Sequence, residues 1–262
     1  MELKFTKMQG LGNDYIYIDA SDLPAEDPAA LSRRLSDRHF GVGGDGIVLI
    51  GRSDVADFSM RMFNADGSEG LMCGNAARCI AMYVHEKGLT DKRTVTLETR
   101  SGIKTLTIHP QEGTVSVDMG KFAPIQAPSS SHGFSGTGVS MGNPHFVMFV
   151  PDAEAVDLPS VGPLIEKDEA FPGGVNAEFA SVRPDGSIRM RVWERGSGIT
   201  LACGTGACAT AVAAVLGGIK PYDMPITIAM DGGNLDIMVS RTGSVTMTGP
   251  AVTVFEGRLN LA

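Results

Sequence analysis

Apolar and polar side chains alternate along residues 58–63, the pattern of a strand, and residues 3–8 and 15–19, which flank the glycine-rich turn 9–14, read as two more. Residues 47–50, Ile-Val-Leu-Ile, read as another. β-Branched runs at 94–99, 105–108 and 114–118, separated by turn residues, predict three more. Asp27 and Pro28 supply a cap and a first-turn proline for a helix that runs to Ser36. A second helix is expected from Gly74 to about Lys87, stopped by Gly88. In the later half, strands are expected at 139–141, 146–150, 188–194, 226–230, 235–240 and 245–248, with helices at 158–167 and 205–216. The last of these helices carries no charge and is apolar all round. It must be buried on every side, so its own sheet is expected to wrap it. Residues 255–259 are expected to close back onto the first half.

The halves repeat one another. An offset of 130 residues, the distance from Cys73 to Cys203, lays 189–211 over 59–81 without a gap. Met60 falls on Met190, Arg61 on Arg191, Leu71 on Leu201, Cys73-Gly74 on Cys203-Gly204, Ala77 on Ala207 and Ala81 on Ala211. The same offset pairs Gly12-Asn13 with Gly142-Asn143, and Gly43-Gly44 with Gly173-Gly174. Each copy runs strand, Gly-rich polar loop, cysteine, glycine, small-residue helix. A Pro/Ser/Gly-rich stretch over 120–138 marks the crossing between copies. The expected domains are 1–117 plus 252–262, carrying Cys73, and 118–251, carrying Cys203.

Composition narrows the chemistry. The 262 residues are 43% hydrophobic and 20% charged, ordinary for a globular chain. A net charge of −8 with no Lys/Arg run argues against nucleic acid as a partner. The N-terminus lacks a signal-like apolar region, and no apolar run approaches the ~20 residues of a membrane span. The expectation is a cytoplasmic protein, away from membranes, with its four cysteines reduced. GVGGDG (41–46) is a formal match to the dinucleotide fingerprint, but a helix precedes it and a strand follows, the reverse of a nucleotide site. The cysteine spacings, C-x5-C and C-x4-C, differ from the C-x2–4-C that zinc favours. At ~100° per residue they point to different helix faces, so no metal is expected. Cys79 and Cys208 read as small buried hydrophobes.

Cys73 and Cys203 differ because each opens a helix and is followed by glycine. The positive helix end favours thiolate and is expected to lower the thiol pKa from ~8.5. The backbone N–H groups of Gly74-Asn75 and Gly204-Thr205 make an anion site at the same place. With the halves face to face, a carboxylate held by both helix ends has its α-carbon between the sulfurs. One thiolate then removes the α-proton and the opposite thiol supplies one to the other face, as a two-base racemase or epimerase of a small amino-acid substrate requires. No recognisable cofactor motif contains a lysine for pyridoxal phosphate, so no cofactor is expected. Two helix ends in a dry site must then stabilise the carbanion. Proton transfer by the thiols typically adds ~10²–10⁴-fold.

These residues resemble the diaminopimelate epimerase family along the whole chain, through GLGND (10–14), FNADGSE (63–69), MCGNAARC (72–79), GNPH (142–145), VNAEF (175–179), WERGSGIT (193–200) and ACGTGACA (202–209). The resemblance implies an α+β fold of two pseudo-symmetric domains, each a mixed or antiparallel sheet wrapped around a central helix, with the site in the cleft between them. It implies interconversion of LL- and meso-diaminopimelate, for lysine and peptidoglycan precursors, with Cys73 and Cys203 as the acid–base pair. It implies a homodimer. Carried over position by position, Asn13, Asn64, Asn143, Asn176, Glu194 and Arg195 would hold the rest of the substrate, beside the carboxylate-holding Gly74, Asn75, Gly204 and Thr205. Arg195 offers a planar fork to a distal carboxylate, and the asparagines offer both donors and acceptors. Taken singly, each asparagine also suits a turn. Gly46 departs from family members that carry glutamine there, so a polar substrate contact is expected to be missing. His145 reads as a loop hydrogen-bonder rather than a proton carrier. Rival readings stay open: a racemase of proline, histidine or lanthionine type on the same scaffold, or a non-enzymatic binding protein. Proline racemases read MCGH where this chain reads MCGN, and the two Cys-Gly helix starts argue against a mere binder.

Overall fold

In the first half the alternating runs become β1 (Glu2–Gly10), β2 (Asn13–Asp19), β3 (Gly46–Gly51), β4 (Phe58–Asn64), β5 (Thr94–Thr99), β6 (Gly102–His109) and β7 (Thr114–Lys121). Neighbouring strands pair in that order, with β2–β3 and β4–β5 parallel and the others antiparallel. Parallel neighbours need a crossover, and each has a helix to make it. These are α1 (Pro28–Ser36) between β2 and β3, and α2 (Gly74–Glu86) between β4 and β5. The final strand, Val252–Asn260, returns to pair antiparallel with β1. This is a computed structural model describing residues 2–260; Met1, Leu261 and Ala262, expected in the first half, lie outside the described residues. The chain divides into two compact units, Met1–Val117 with Gly249–Ala262, and Asp118–Thr248.

The two faces of the first sheet bury different helices. Asp27 caps α1 by accepting from the Ala29 and Ala30 amides, and Leu31 and Leu35 then pack on Ile16, Ile18, Ile47 and Leu49. The period-two pleat sends Tyr17 to the opposite face, where it meets Cys79 of α2. Helix α2 touches β1, β2 and the final strand, and also β6 near the far end of the sheet. A helix can reach both ends of one sheet only if the sheet curls around it.

The second unit repeats this plan with β8 (Thr137–Ser140), β9 (Pro144–Phe149), α3 (Leu158–Glu166), β10 (Asn176–Val182), β11 (Ile188–Glu194), α4 (Gly204–Leu216), β12 (Pro225–Met230), β13 (Gly233–Val239) and β14 (Ser244–Pro250). Here β9–β10 and β11–β12 are the parallel pairs, each bridged by a helix, and the others are antiparallel. Helix α4 touches every strand from β8 to β13, and Gly206–Val215 is buried throughout. Its alanines and valines let the sheet close tightly on all sides, so each unit is a mixed sheet around a central helix. The 130-residue offset carries α1 onto α3, α2 onto α4 and β4 onto β11 without a residue gained or lost.

One local expectation is corrected. His145 lies inside β9 and is fully buried, because the strand starts at Pro144 rather than after the histidine. Within the 120–138 stretch, Ser130–Ser131 pairs with Phe134–Ser135 in a small hairpin. Among the described residues no helix is long and apolar enough to cross a membrane.

Candidate active site

In the first unit the site grows from the β1–β2 turn and the start of α2. Leu11 and Gly12 both have positive φ (60° and 84°), a tight hairpin turn that sets Asn13 opposite Gly10. Cys73 is the extended residue that caps α2, and its Sγ lies 3.3 Å from Asn13 Oδ1, which takes the thiol hydrogen. The other end of that amide is anchored, since Asn13 Nδ2 donates to Asp45 Oδ2 at 2.8 Å. Asp45 Oδ2 also accepts from the Asp14 amide, and its Oδ1 accepts from Arg38. Burial acts to raise the Asp14 pKa, but hydrogen bonds and charge from Arg38 and Lys7 outweigh it and hold the carboxyl below its ordinary value. Asp14 therefore stays ionised, and these bonds hold the loop. Asn75 donates to Asn13 Oδ1 at 3.4 Å, while its own oxygen accepts from the fully buried Arg78 at 2.7 Å. Asn64, at the end of β4, is tied to the Tyr15 hydroxyl and to Ser68.

The second unit builds its counterpart differently. Cys203 caps α4 with its Sγ accepting from the Gly206 amide at 3.4 Å, and the Thr205 hydroxyl lies 3.6 Å away. Asn143 Nδ2 donates to Thr205 Oγ1 at 3.3 Å. His145 Nε2 sits 3.0 Å from Asn143 Oδ1, and His145 Nδ1 sits 2.6 Å from Glu178 Oε1.

The Cys203 thiol does not follow the helix-end expectation. Burial pushes its pKa well up, and the carboxylates of Glu194 and Glu178 push it further, against smaller lowering by Thr205 and the Gly206 amide. A helix terminus contributes at most about 2 kcal/mol, less than the cost of stripping water from a thiolate. Cys203 therefore rests as a thiol. Burial also raises Glu194, assisted by Glu178 and opposed by hydrogen bonds from Thr200 and Cys203. Burial pushes the Cys79 thiol up to about 11, which makes it the inert core residue expected.

Asn176 and Arg195 lie on the loop side of this unit. Asn176 uses both ends of its amide on backbone: it donates to Pro144 O and accepts from the Arg195 amide. The Arg195 guanidinium, exposed, is latched to Gly173 O at 3.0 Å, and Glu166 braces the turn through Trp193 Nε1 and the Gly196 amide. Asn13, Cys73, Gly74 and Asn75 thus cluster in one unit, and Asn143, Glu194, Cys203, Gly204 and Thr205 in the other. Three residues escaped the sequence argument. Asp45 lay within the glycine-rich motif set aside as a false nucleotide fingerprint. Arg78 and Glu178 lay within MCGNAARC and VNAEF, without a spacing rule to single them out. Gly46 has φ +155°, and a Cβ there would lie 2.0 Å from Phe63 O, so this backbone leaves no room for any side chain.

Comparison with known proteins follows the same lines. A family model described as Diaminopimelate epimerase matches residues 5–124 and 137–254. A diaminopimelate epimerase of Phocaeicola vulgatus is 54% identical over 99% of both chains. One from Bacteroides thetaiotaomicron is 52% identical over 98% of both. Among solved structures, a phenazine biosynthesis protein of the PhzF family from Bacillus anthracis matches over 100% of both chains with a TM-score of 0.75. Its 16% identity shows a shared fold only.

Proposed function

The chain belongs to the diaminopimelate epimerase family, and from that premise we propose that it interconverts LL- and meso-diaminopimelate by a two-base exchange between Cys73 and Cys203, with no cofactor. One observation supports the mechanism: at one point of the repeat, each unit sets a cysteine at the cap position of its buried central helix, with an asparagine from a hairpin turn bonded to Cys73 in one unit and to Thr205, two residues after Cys203, in the other.

In this reading the amides of Gly74-Asn75 and Gly204-Thr205 hold the substrate α-carboxylate, and both half-sites serve one α-carbon, one thiol for each face. Negative charge that flows into the carboxylate would be stabilised by the N–H groups of the helix N-termini that hold it. Glu194 takes the proton that Cys203 must lose before acting as base, and its raised proton affinity suits it to that task. Asn13 Oδ1 accepts the Cys73 thiol hydrogen and orients the thiol that delivers to the opposite face. Asn64, Asn143 and Asn176 complete the polar lining, and the exposed fork of Arg195 receives the distal carboxylate. A homodimer, which the resemblance implies, belongs to the same proposal and is tested by light scattering.

The substrate assignment is tested by steady-state assays with LL-diaminopimelate, LL-lanthionine, histidine and proline. LL-Diaminopimelate should give the highest kcat/KM. Faster turnover of proline or histidine would overturn the assignment.

A further inference from the structure

Among the described residues, Glu178 is the one buried carboxylate for which the proposed chemistry has no use. It lies in β10 at 0% exposure against His145, also at 0%, and its Oε2 has no hydrogen-bond partner among the described residues. Burying such a group without full partnering is unfavourable, and an apolar residue of similar size commonly serves a core better. The repeat shows that this fold accepts that alternative. Advanced by the common offset, Glu178 corresponds to Val48, His145 to Tyr15 and Gly206 to Ala76. Val48 is fully buried in β3, so the strand position itself does not call for an acid. The three replacements are also coordinated. A Cβ on Gly206 would lie 2.8 Å from Glu178 Oε1, so the helix gives up a side chain where the acid approaches and keeps one where Val48 stands.

We infer that Glu178 is a positioning residue of the Cys203 half-site, acting through His145 to fix the orientation of the Asn143 amide. Asn143 Nδ2 is committed to Thr205 Oγ1, which leaves its oxygen facing His145 Nε2. An oxygen accepts, so Nε2 carries the hydrogen on that bond. Glu178 secures this arrangement by engaging Nδ1 at 2.6 Å, whichever of the two atoms holds the proton between them. The series Glu178, His145, Asn143, Thr205 thereby ends on a donor directed at the first turn of α4, beside Cys203 Sγ. Without the acid, the imidazole is free to change tautomer and present a bare Nε2. The Asn143 amide would then turn over and offer its oxygen to Thr205 instead. The role uses the proposed activity only for its assay substrate; the state of His145 can be read without any substrate.

Glu178→Gln and Glu178→Val, in the full-length protein, test this. With LL-diaminopimelate, kcat should fall at least ~10-fold and KM should change by less, since Asn143 alone among the lining groups is misdirected. Melting temperature should hold for Glu178→Gln and hold or rise for Glu178→Val. In ¹⁵N-histidine spectra of the free protein, the His145 ring signals, assigned by their loss in His145→Gln, should move in both variants. Unchanged His145 signals would overturn the proposal even if the substrate assignment stood. Wild-type kcat in both variants, or activity lost only in step with melting temperature, would overturn it too.

Discussion

Asn13 and Asn143 stand at one point of the repeat and offer opposite ends of their amides to the helix that each faces. Asn13 donates to Asp45 and turns its oxygen to Cys73 and Asn75. Asn143 receives from His145 and turns its nitrogen to Thr205. Equivalent backbones thus give inequivalent half-sites, because the anchor is an acceptor in one unit and a donor in the other.

Aspartate substitution should expose that difference. Asn13→Asp replaces a donor to Asp45 with a second carboxylate, and two such charges 4 Å apart repel by roughly 4 kcal/mol at an effective dielectric of about 20. Asn143→Asp keeps an acceptor for His145 and loses one neutral hydrogen bond, worth about 0.5–1.5 kcal/mol. The first variant should lose at least ~100-fold in kcat/KM and melt lower; the second should lose less on both counts. Steady-state kinetics and thermal melts check the order, and the reverse order would contradict the anchoring scheme.

The raised Cys203 pKa predicts a pH dependence. In the free protein a pKa above the ordinary thiol value leaves little thiolate at neutral pH, so alkylation should be slow there and accelerate only in strongly alkaline buffer. Glu194→Gln removes a neighbouring negative charge, stabilises the thiolate and should shift that rise to lower pH. Mass spectrometry of the Cys203 peptide after timed iodoacetamide treatment gives the profile. A shift to higher pH in Glu194→Gln would refute the assigned electrostatics.

Arg195→Lys retains charge but not the planar fork, while the Arg195 amide remains bonded to Asn176. KM for LL-diaminopimelate should rise roughly 10-fold or more with a smaller change in kcat. An unchanged KM would remove Arg195 from the distal carboxylate.

Gly46→Ala should destabilise the first unit by at least about 2 kcal/mol, because the new Cβ meets Phe63 O between paired strands. Gly142 also has positive φ (96°) but opens onto empty space, so Gly142→Asn should be far milder. Urea unfolding of the two variants separates steric exclusion from simple conformational preference.

Much of this was written in the chain. The charge-free run after Cys203 announced a helix enclosed by its own sheet, and the shared offset of Cys73 and Cys203 announced two copies of one plan. What the pattern hid is pairwise and long-range. His145 was legible as a hydrogen-bonder, but its partner Glu178 is 33 residues away and meets it only through the parallel pairing of β9 with β10. Asp45 reaches Asn13 from another loop, across 32 residues. The helix-end rule gave the place of Cys203 correctly and its proton affinity wrongly, because local sequence shows the helix terminus but not the burial and carboxylates around it.

The two-base claim is tested most directly by running the reaction in D₂O from LL- and from meso-diaminopimelate, with the wild type, Cys73→Ala and Cys203→Ala. The wild type should place deuterium at the α-carbon of the epimerised product from either side without added cofactor, and each alanine variant should lose epimerisation by at least ~10³-fold. Unlabelled product from the wild type, or full epimerisation by either variant, would contradict it.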